Sequence, residues 1–202
     1  QVMQRLLEEA TPLLNKAVGP RKYAFGHRAS LVDCCLHAGY FAHHYRDNAA
    51  MQHYLKTEAP ALCYFLDNMQ AAFSAPAEGE LSMTDEFLAY LKYIGPVAAA
   101  WAKSAKQLAQ PILEEVAQSE VVEQTVPTEI EIFDQTYQRG TPIFSAWKGQ
   151  RVQEQYEALS DDERKRADKL MAQIGWDEFL SNPMGIRMER VGYHLQRSGE
   201  DE

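Results

Sequence analysis

Apolar positions recur at helical spacing along most of this chain, and turn residues punctuate them. Val2 to Val18 reads as one helix with Val2, Leu6, Leu13 and Leu14 on or near one face, interrupted or kinked at Pro12 and stopped by Gly19-Pro20. After a short connector, Lys22 to Arg28, Ser30 and Asp33 form an S-x-x-D capping box. In such a box the Ser side chain accepts from a backbone N–H of the first turn, while the acidic side chain reaches back to the Ser N–H. The helix it opens runs to about Tyr45, with Leu31, Cys35, Leu36, Ala38, Gly39 and Ala42 at helical spacing. Arg46-Asp47-Asn48 reads as a loop and Met51 to Thr57 as a short helical turn. Pro60 suits the first turn of a further helix, whose apolar face is Leu62, Phe65, Leu66, Met69, Ala72 and Phe73. Ser74 to Gly79 is a linker. The segment Ser82-Met83-Thr84-Asp85 offers another cap, ahead of Phe87, Leu88, Leu91 and Ile94. Gly95-Pro96 is expected to break or bend the path before an Ala-rich helix from Val97 to about Val116.

The pattern then changes. Glu129-Ile130-Glu131-Ile132 alternates, which predicts a strand with both glutamates toward water. A turn at Asp134-Gln135 would lead to a second short strand ending near Tyr137. Ser145 to Leu159 returns to helix, with Trp147, Val152 and Tyr156 as contacts. Ser160 and Glu163 form a second capping box, opening a helix to Ile174 with Gly175 as its stop. Beyond Leu180 the periodicity fades, and Ser198 to Glu202 reads as an acidic, disordered end. The expected class is mainly α with a small β-hairpin insertion. The expected organisation is one helical domain over 1–180, with the hairpin near 129–137 and a partly disordered tail over 181–202.

Composition narrows the function. A net charge of −9 argues against nucleic-acid backbones and anionic membranes as partners, and no apolar run is long enough to span a bilayer. Cys34, Cys35 and Cys63 show no disulfide framework and fit buried thiols in a reducing, cytoplasmic compartment. Asp33 beside Cys34 and Cys35 opposes the thiolate that a nucleophile needs. The histidines 27, 37, 43, 44, 53 and 194 have no metal-binding spacing, so no metal is expected. Glu114, Glu115, Glu120 and Glu123 read as a solvated helix face rather than an acid–base pair. No phosphate-binding loop, dinucleotide fingerprint or nucleophile elbow is present. No catalytic residue is therefore assigned. Tyr90, Tyr93, Trp101 and Trp147 are candidates for lining an apolar pocket, against the commoner role of such aromatics as simple core. Ser30, Asp33, Ser160 and Glu163 are candidates for structural capping alone.

Tyr23-Ala24-Phe25-Gly26-His27-Arg28-Ala29-Ser30-Leu31-Val32-Asp33 resembles the C-terminal helical domain of glutathione transferases. Leu36 to His43 continues the likeness, as does Ala59-Pro60-Ala61-Leu62 leading to Phe65-Leu66-Asp67-Asn68-Met69, with Phe65 where the family usually has Trp. The likeness is densest over 23–69, weaker to about 180 and absent beyond. It implies a helical bundle whose capping box nucleates the fold and whose apolar wall receives an electrophile. It also implies a parent protein that transfers glutathione to hydrophobic electrophiles, often as a homodimer. In that family the catalytic residue and most glutathione contacts lie on an N-terminal thioredoxin-like domain, which nothing in this chain resembles. The chain begins at Gln1 rather than Met, and Val2 to Val18 aligns best with the second helix of the family's helical domain. Glutathione is thus a co-substrate of the parent, not an expected ligand of this chain alone, and the missing domain is the first expected partner. The alternative reading is a non-catalytic interaction module built on the same helical fold.

Overall fold

The computed structural model describes residues 2–19, 21–71, 79–117, 120–122, 125–183 and 185–198. Its described residues are mainly helical, with eight α-helices, one π-helical segment and two small two-stranded sheets. The chain divides into two compact units, residues 1–93 and 94–202.

The first unit is built of helices, with isolated antiparallel bridges joining Gly26 to Tyr23 and Leu81. α1 (Val2–Val18) continues through Pro12, and its buried side is Ala10, Thr11, Leu14, Ala17 and Val18. α2 (Leu31–Tyr40) passes into a π-helical segment, Phe41–Arg46, in place of one uniform helix to Tyr45. Ring pairs four residues apart run through this junction: His37 stacks on Phe41 at 4.8 Å, and Tyr40 meets His44 at 5.5 Å. α3 (Ala49–Glu58) is a full helix because Asn48 caps it, accepting from the Met51 N–H at 3.1 Å. α4 (Pro60–Gln70) buries Leu62, Phe65, Leu66 and Met69 as its spacing predicts. Ala72, Phe73 and the linker residues 74–78 lie outside the described residues. The α4 start has an alanine at its N-cap, so another helix supplies the acceptor: Asn15 of α1 takes the Leu62 N–H at 2.9 Å. Leu14, Tyr23, Leu55, Leu62, Phe65, Leu66 and Phe87 are the largest fully buried side chains of this unit.

α5 (Asp85–Glu115) starts in the first unit, where Thr84 accepts from the Phe87 N–H at 3.1 Å, and continues into the second. The expected break at Gly95-Pro96 does not occur. Gly95 serves packing instead: a Cβ there would lie 2.1 Å from the carbonyl oxygen of Ile174. Gly175, at φ +74°, packs back against Pro96.

In the second unit β1 (Thr125–Ile132) pairs antiparallel with β2 (Gln135–Pro142). The turn is Phe133-Asp134, one residue earlier than the sequence suggests, with both residues at positive φ as a tight two-residue hairpin requires. Ile130 and Ile132 are buried while Glu129 and Glu131 are exposed, as the alternation predicts. α6 (Ile143–Glu157) follows directly and buries Ile143, Ala146, Gln150 and Gln153. Of its expected contacts, Trp147 and Tyr156 are half-buried and Val152 is exposed. α7 (Asp161–Ile174) has the Ser160 box at its start and Gly175 at its end. Where the sequence pattern fades, α8 (Asp177–Ser181) is followed by β3 (Met188–Val191) and β4 (His194–Arg197), an antiparallel hairpin. The Val122 N–H donates to the Leu195 carbonyl at 2.7 Å, tying the chain after α5 to this hairpin. The core joins Ala105, Ala109, Leu113, Val122, Ile143, Ala146, Met188 and Leu195. Residues 199–202 lie outside the described residues.

Candidate functional site

The capping box at Ser30 is more than a helix start. Asp33 is fully buried. One carboxylate oxygen accepts from the Ser30 N–H at 2.7 Å and the Ser30 hydroxyl at 2.6 Å. The other accepts from the buried Ala24 N–H at 2.6 Å. That third bond leaves the helix and fixes the connector. The connector itself is a tight turn in which Tyr23 and Gly26 exchange backbone hydrogen bonds at 3.0 and 3.1 Å. Gly26 sits at φ +122°, a conformation open to glycine alone among common residues. On its outer side the Phe25 carbonyl accepts from the Ser82 N–H at 3.0 Å, and Arg21 donates to the Ser82 carbonyl at 2.8 Å. An acceptor-only group with two oxygens suits three donors, so the carboxylate is matched to its surroundings and acts as a builder of the fold.

The orientation of Asp33 also decides which side of α2 is buried. Leu36, His37 and Tyr40 share its face and are half-buried. Much of the rest of the expected apolar stripe is exposed: Leu31 is 79% accessible, and Cys35, Ala38 and Gly39 are exposed along with Cys34, while Leu36 and Ala42 are half-buried. The expectation of buried thiols therefore holds for Cys63 and fails for Cys34 and Cys35. Cys63 is held above the usual thiol range by burial and then by Asp67, which disfavours its thiolate.

Tyr90 and Tyr93 lie one turn apart on α5 in the first unit, and Trp101 lies on α5 in the second. Tyr90 is buried against the Phe87 ring, and burial raises its phenol well above the usual range. Burial pushes Tyr93 up to about 12, helped by the hydrogen bond its hydroxyl gives to Glu9 at 2.9 Å. Both phenols stay protonated at neutral pH. They can wall a pocket or donate a hydrogen bond, but neither is an acid strong enough to activate a thiol. Trp101 is half-buried. His37 contacts Gln70 at 2.7 Å, and burial lowers its pKa. Burial, then His43, lowers that of His44. Among the described residues, no group of three His, Cys, Asp or Glu side chains is placed to hold a metal ion.

A cleft of about 610 Å³ belongs to the second unit; it takes in Trp147 but none of Tyr90, Tyr93 and Trp101. One wall is a single face of α6, where Trp147, Gln150, Arg151 and Glu154 follow the i, i+3, i+4, i+7 rule. The other is the β3–β4 hairpin. Met188 pairs with Arg197 and Arg190 with Leu195, so these four side chains share one face of the hairpin. The walls are clamped at the base by an amide pair: the Gln150 side chain accepts from the Met188 N–H at 2.8 Å and donates to the Met188 carbonyl at 2.8 Å. Gln153, one turn on, donates to the carbonyls of Phe179 and Asn182 at 3.0 and 3.3 Å. A buried glutamine carries no periodicity signal, which is why the sequence pattern missed both.

No family model, curated protein or solved structure matches this chain. Among the described residues, no helix is long and apolar enough to cross a membrane.

Proposed function

We propose that this chain is the helical, electrophile-side portion of a glutathione transferase-like protein. The observation that carries the reading is Asp33. Within the segment that bears the resemblance, it is the residue on which connector and helix converge, buried and bonded to Ala24 and Ser30. In such a protein the glutathione thiolate would be generated on a thioredoxin-like domain outside these 202 residues. The helical portion would contribute a water-poor wall, against which a desolvated thiolate attacks an electrophile more readily. Tyr90 and Tyr93 of the first unit remain the proposed wall, both as protonated donors, and Trp101 of the second unit remains a separate candidate. The isolated chain is expected to be inactive, and the parent to work as a cytoplasmic homodimer. The test is retention of the full-length gene product on immobilised glutathione, together with conjugation of a hydrophobic electrophile. A complete reading frame without a thioredoxin-like half, or a full-length product that neither binds nor conjugates glutathione, overturns the proposal.

A second reading, a non-catalytic interaction module, is favoured by the exposed apolar face of α2, Leu31, Cys34, Cys35 and Ala38, in the same unit as Tyr64, which is 68% accessible. Apolar surface of this kind marks association sites. A stable complex on size exclusion supports that reading, and a clean monomer with full conjugating activity in the parent overturns it.

A further inference from the structure

We infer that the cleft between α6 and the β3–β4 hairpin binds a small phosphate monoester carried on a planar ring. The first argument is charge. Four guanidinium groups line the cleft, those of Arg151, Arg187, Arg190 and Arg197, against two carboxylates, Glu154 and Glu189. In a chain of net charge −9 this is a local reversal of sign.

The second argument is which cations are already committed. Arg151 is paired with Glu154, and Arg187 with Glu157 at 2.8 Å. Arg190 donates through Nε to the Gly192 carbonyl, and Arg197 through Nη1 to the Val116 carbonyl, each at 3.0 Å. A carbonyl orients a guanidinium without neutralising it. Among the described residues, neither Arg190 nor Arg197 has a carboxylate within ion-pair distance. The hairpin register makes them diagonal neighbours on the face turned toward α6, so two like charges are held close together. A dianion answers both, and a phosphate monoester is close to a dianion at neutral pH. Planar forks also suit phosphate oxygens better than any other common anchor.

The third argument is the rest of the wall. Trp147 is half-buried at the cleft, leaving part of its indole as an apolar surface for a ring. The volume falls within the usual range for small-ligand sites, roughly 300–1,000 Å³. The base is fixed by the Gln150–Met188 amide pair, so the two walls are positioned before any ligand arrives. This inference does not rest on the transferase reading, since its deciding residues, Arg190 and Arg197, lie beyond the segment that bears the resemblance.

The test is calorimetric titration of the 202-residue chain with 1-naphthyl phosphate, 1-naphthoate and 1-naphthol. The phosphate is expected to bind one to one, more weakly as salt is raised, and to quench tryptophan fluorescence that Trp147→Phe removes. Naphthoate should bind more weakly and naphthol weakest. Arg190→Gln should weaken naphthyl phosphate on the order of tenfold, as loss of one charge-assisted contact does. Arg197→Gln should do the same, but Arg197 also holds the Val116 carbonyl. Arg190, exposed and bonded only to its own turn, is therefore the deciding variant, with an unchanged melting midpoint as its control. No binding of the phosphate at millimolar concentration overturns the proposal. So does naphthol or naphthoate binding as tightly as the phosphate, or an Arg190→Gln chain that binds it unchanged.

Discussion

Asp33 in the first unit and Gln150 in the second do the same job with opposite chemistry. Each is buried, and each fastens a helix to backbone outside that helix. Asp33 meets three donors, the Ala24 N–H, the Ser30 N–H and the Ser30 hydroxyl. Gln150 meets one donor and one acceptor, the N–H and C=O of Met188, and gives a further hydrogen bond to Glu154 at 2.7 Å. A carboxylate only accepts, and an amide accepts on one side and donates on the other. The backbone groups presented therefore dictate the side chain. Charge is tolerated at Asp33 because every partner is a donor. At Gln150 a charge would face a carbonyl and a second carboxylate.

The largest effect is expected at Asp33. Asp33→Ala removes the acceptor for a buried N–H and the reciprocal bond of the cap, and should lower stability by about 2–4 kcal/mol in denaturant titrations. Asp33→Asn separates charge from shape. The amide has one accepting atom where donors converge on two, so one N–H or O–H must face an NH2 group. This near-isosteric change should still cost about 1–3 kcal/mol. Hydrogen exchange should speed first in residues 23–40. An Asn variant as stable as the parent chain would show that the match of donors to acceptors is not what holds the connector.

At Gln150 the isosteric swap runs the other way. Gln150→Glu keeps the acceptor for the Met188 N–H but sets a carboxylate against the Met188 carbonyl and against Glu154. Gln150→Leu leaves both Met188 groups without partners, at a cost of about 1–3 kcal/mol. Gln150→Glu should be the worse of the two at pH 7 and recover toward the parent as the added carboxyl is protonated, giving melting curves that converge in acid. Faster exchange should be confined to α6 and the β3–β4 hairpin. If Gln150→Glu is harmless at neutral pH, the contrast with Asp33 fails.

The two clamps also differ in what a sequence can reveal. The Ser30 box is legible because its partners lie three residues apart in a fixed pattern, although the bond to Ala24 that makes it tertiary is not part of that pattern. Gln150 and Met188 are 38 residues apart, and nothing in a helix repeat marks an inward glutamine. The same divide runs through the rest of the molecule. Ile130 and Ile132 announce their strand by alternation. Gly95 was read as a break because the reason for a glycine, the Ile174 carbonyl, lies on another helix. Cys34 and Cys35 read as buried because lone thiols without a disulfide framework usually are, and sequence alone does not show that a polar side chain takes the core side of α2. Asp33 takes it. Tyr90 and Tyr93 are legible as large aromatics, whereas the hydrogen bond from Tyr93 to Glu9 is not. The arginine cleft is not legible in the sequence because its two walls are far apart in the chain and meet only in the folded unit, through the Gln150 clamp and the shared core of Ala146, Met188 and Leu195.

The smallest effect is expected at the second capping box, which tests whether burial or the box itself makes Asp33 important. Glu163 accepts from the Ser160 N–H at 3.0 Å and from the Ser160 hydroxyl, as Asp33 does from Ser30, but it is exposed and, among the described residues, accepts no third hydrogen bond from outside its helix. Ser160→Ala should therefore cost only about 0.5–1 kcal/mol, the ordinary value of an exposed cap. The Ser160 hydroxyl and then its N–H hold the Glu163 carboxyl below the usual range. A group with a lowered folded pKa contributes stability that is present above its unfolded pKa and is lost as pH falls through the folded value. The small gap in melting midpoint between the parent chain and Glu163→Gln should accordingly be full at neutral pH and close in the acid range below the ordinary carboxylate pKa. A gap that persists there, or a Ser160→Ala loss as large as that of Asp33→Ala, would mean that the local box carries the stability of both helix starts and that the Ala24 bond adds little.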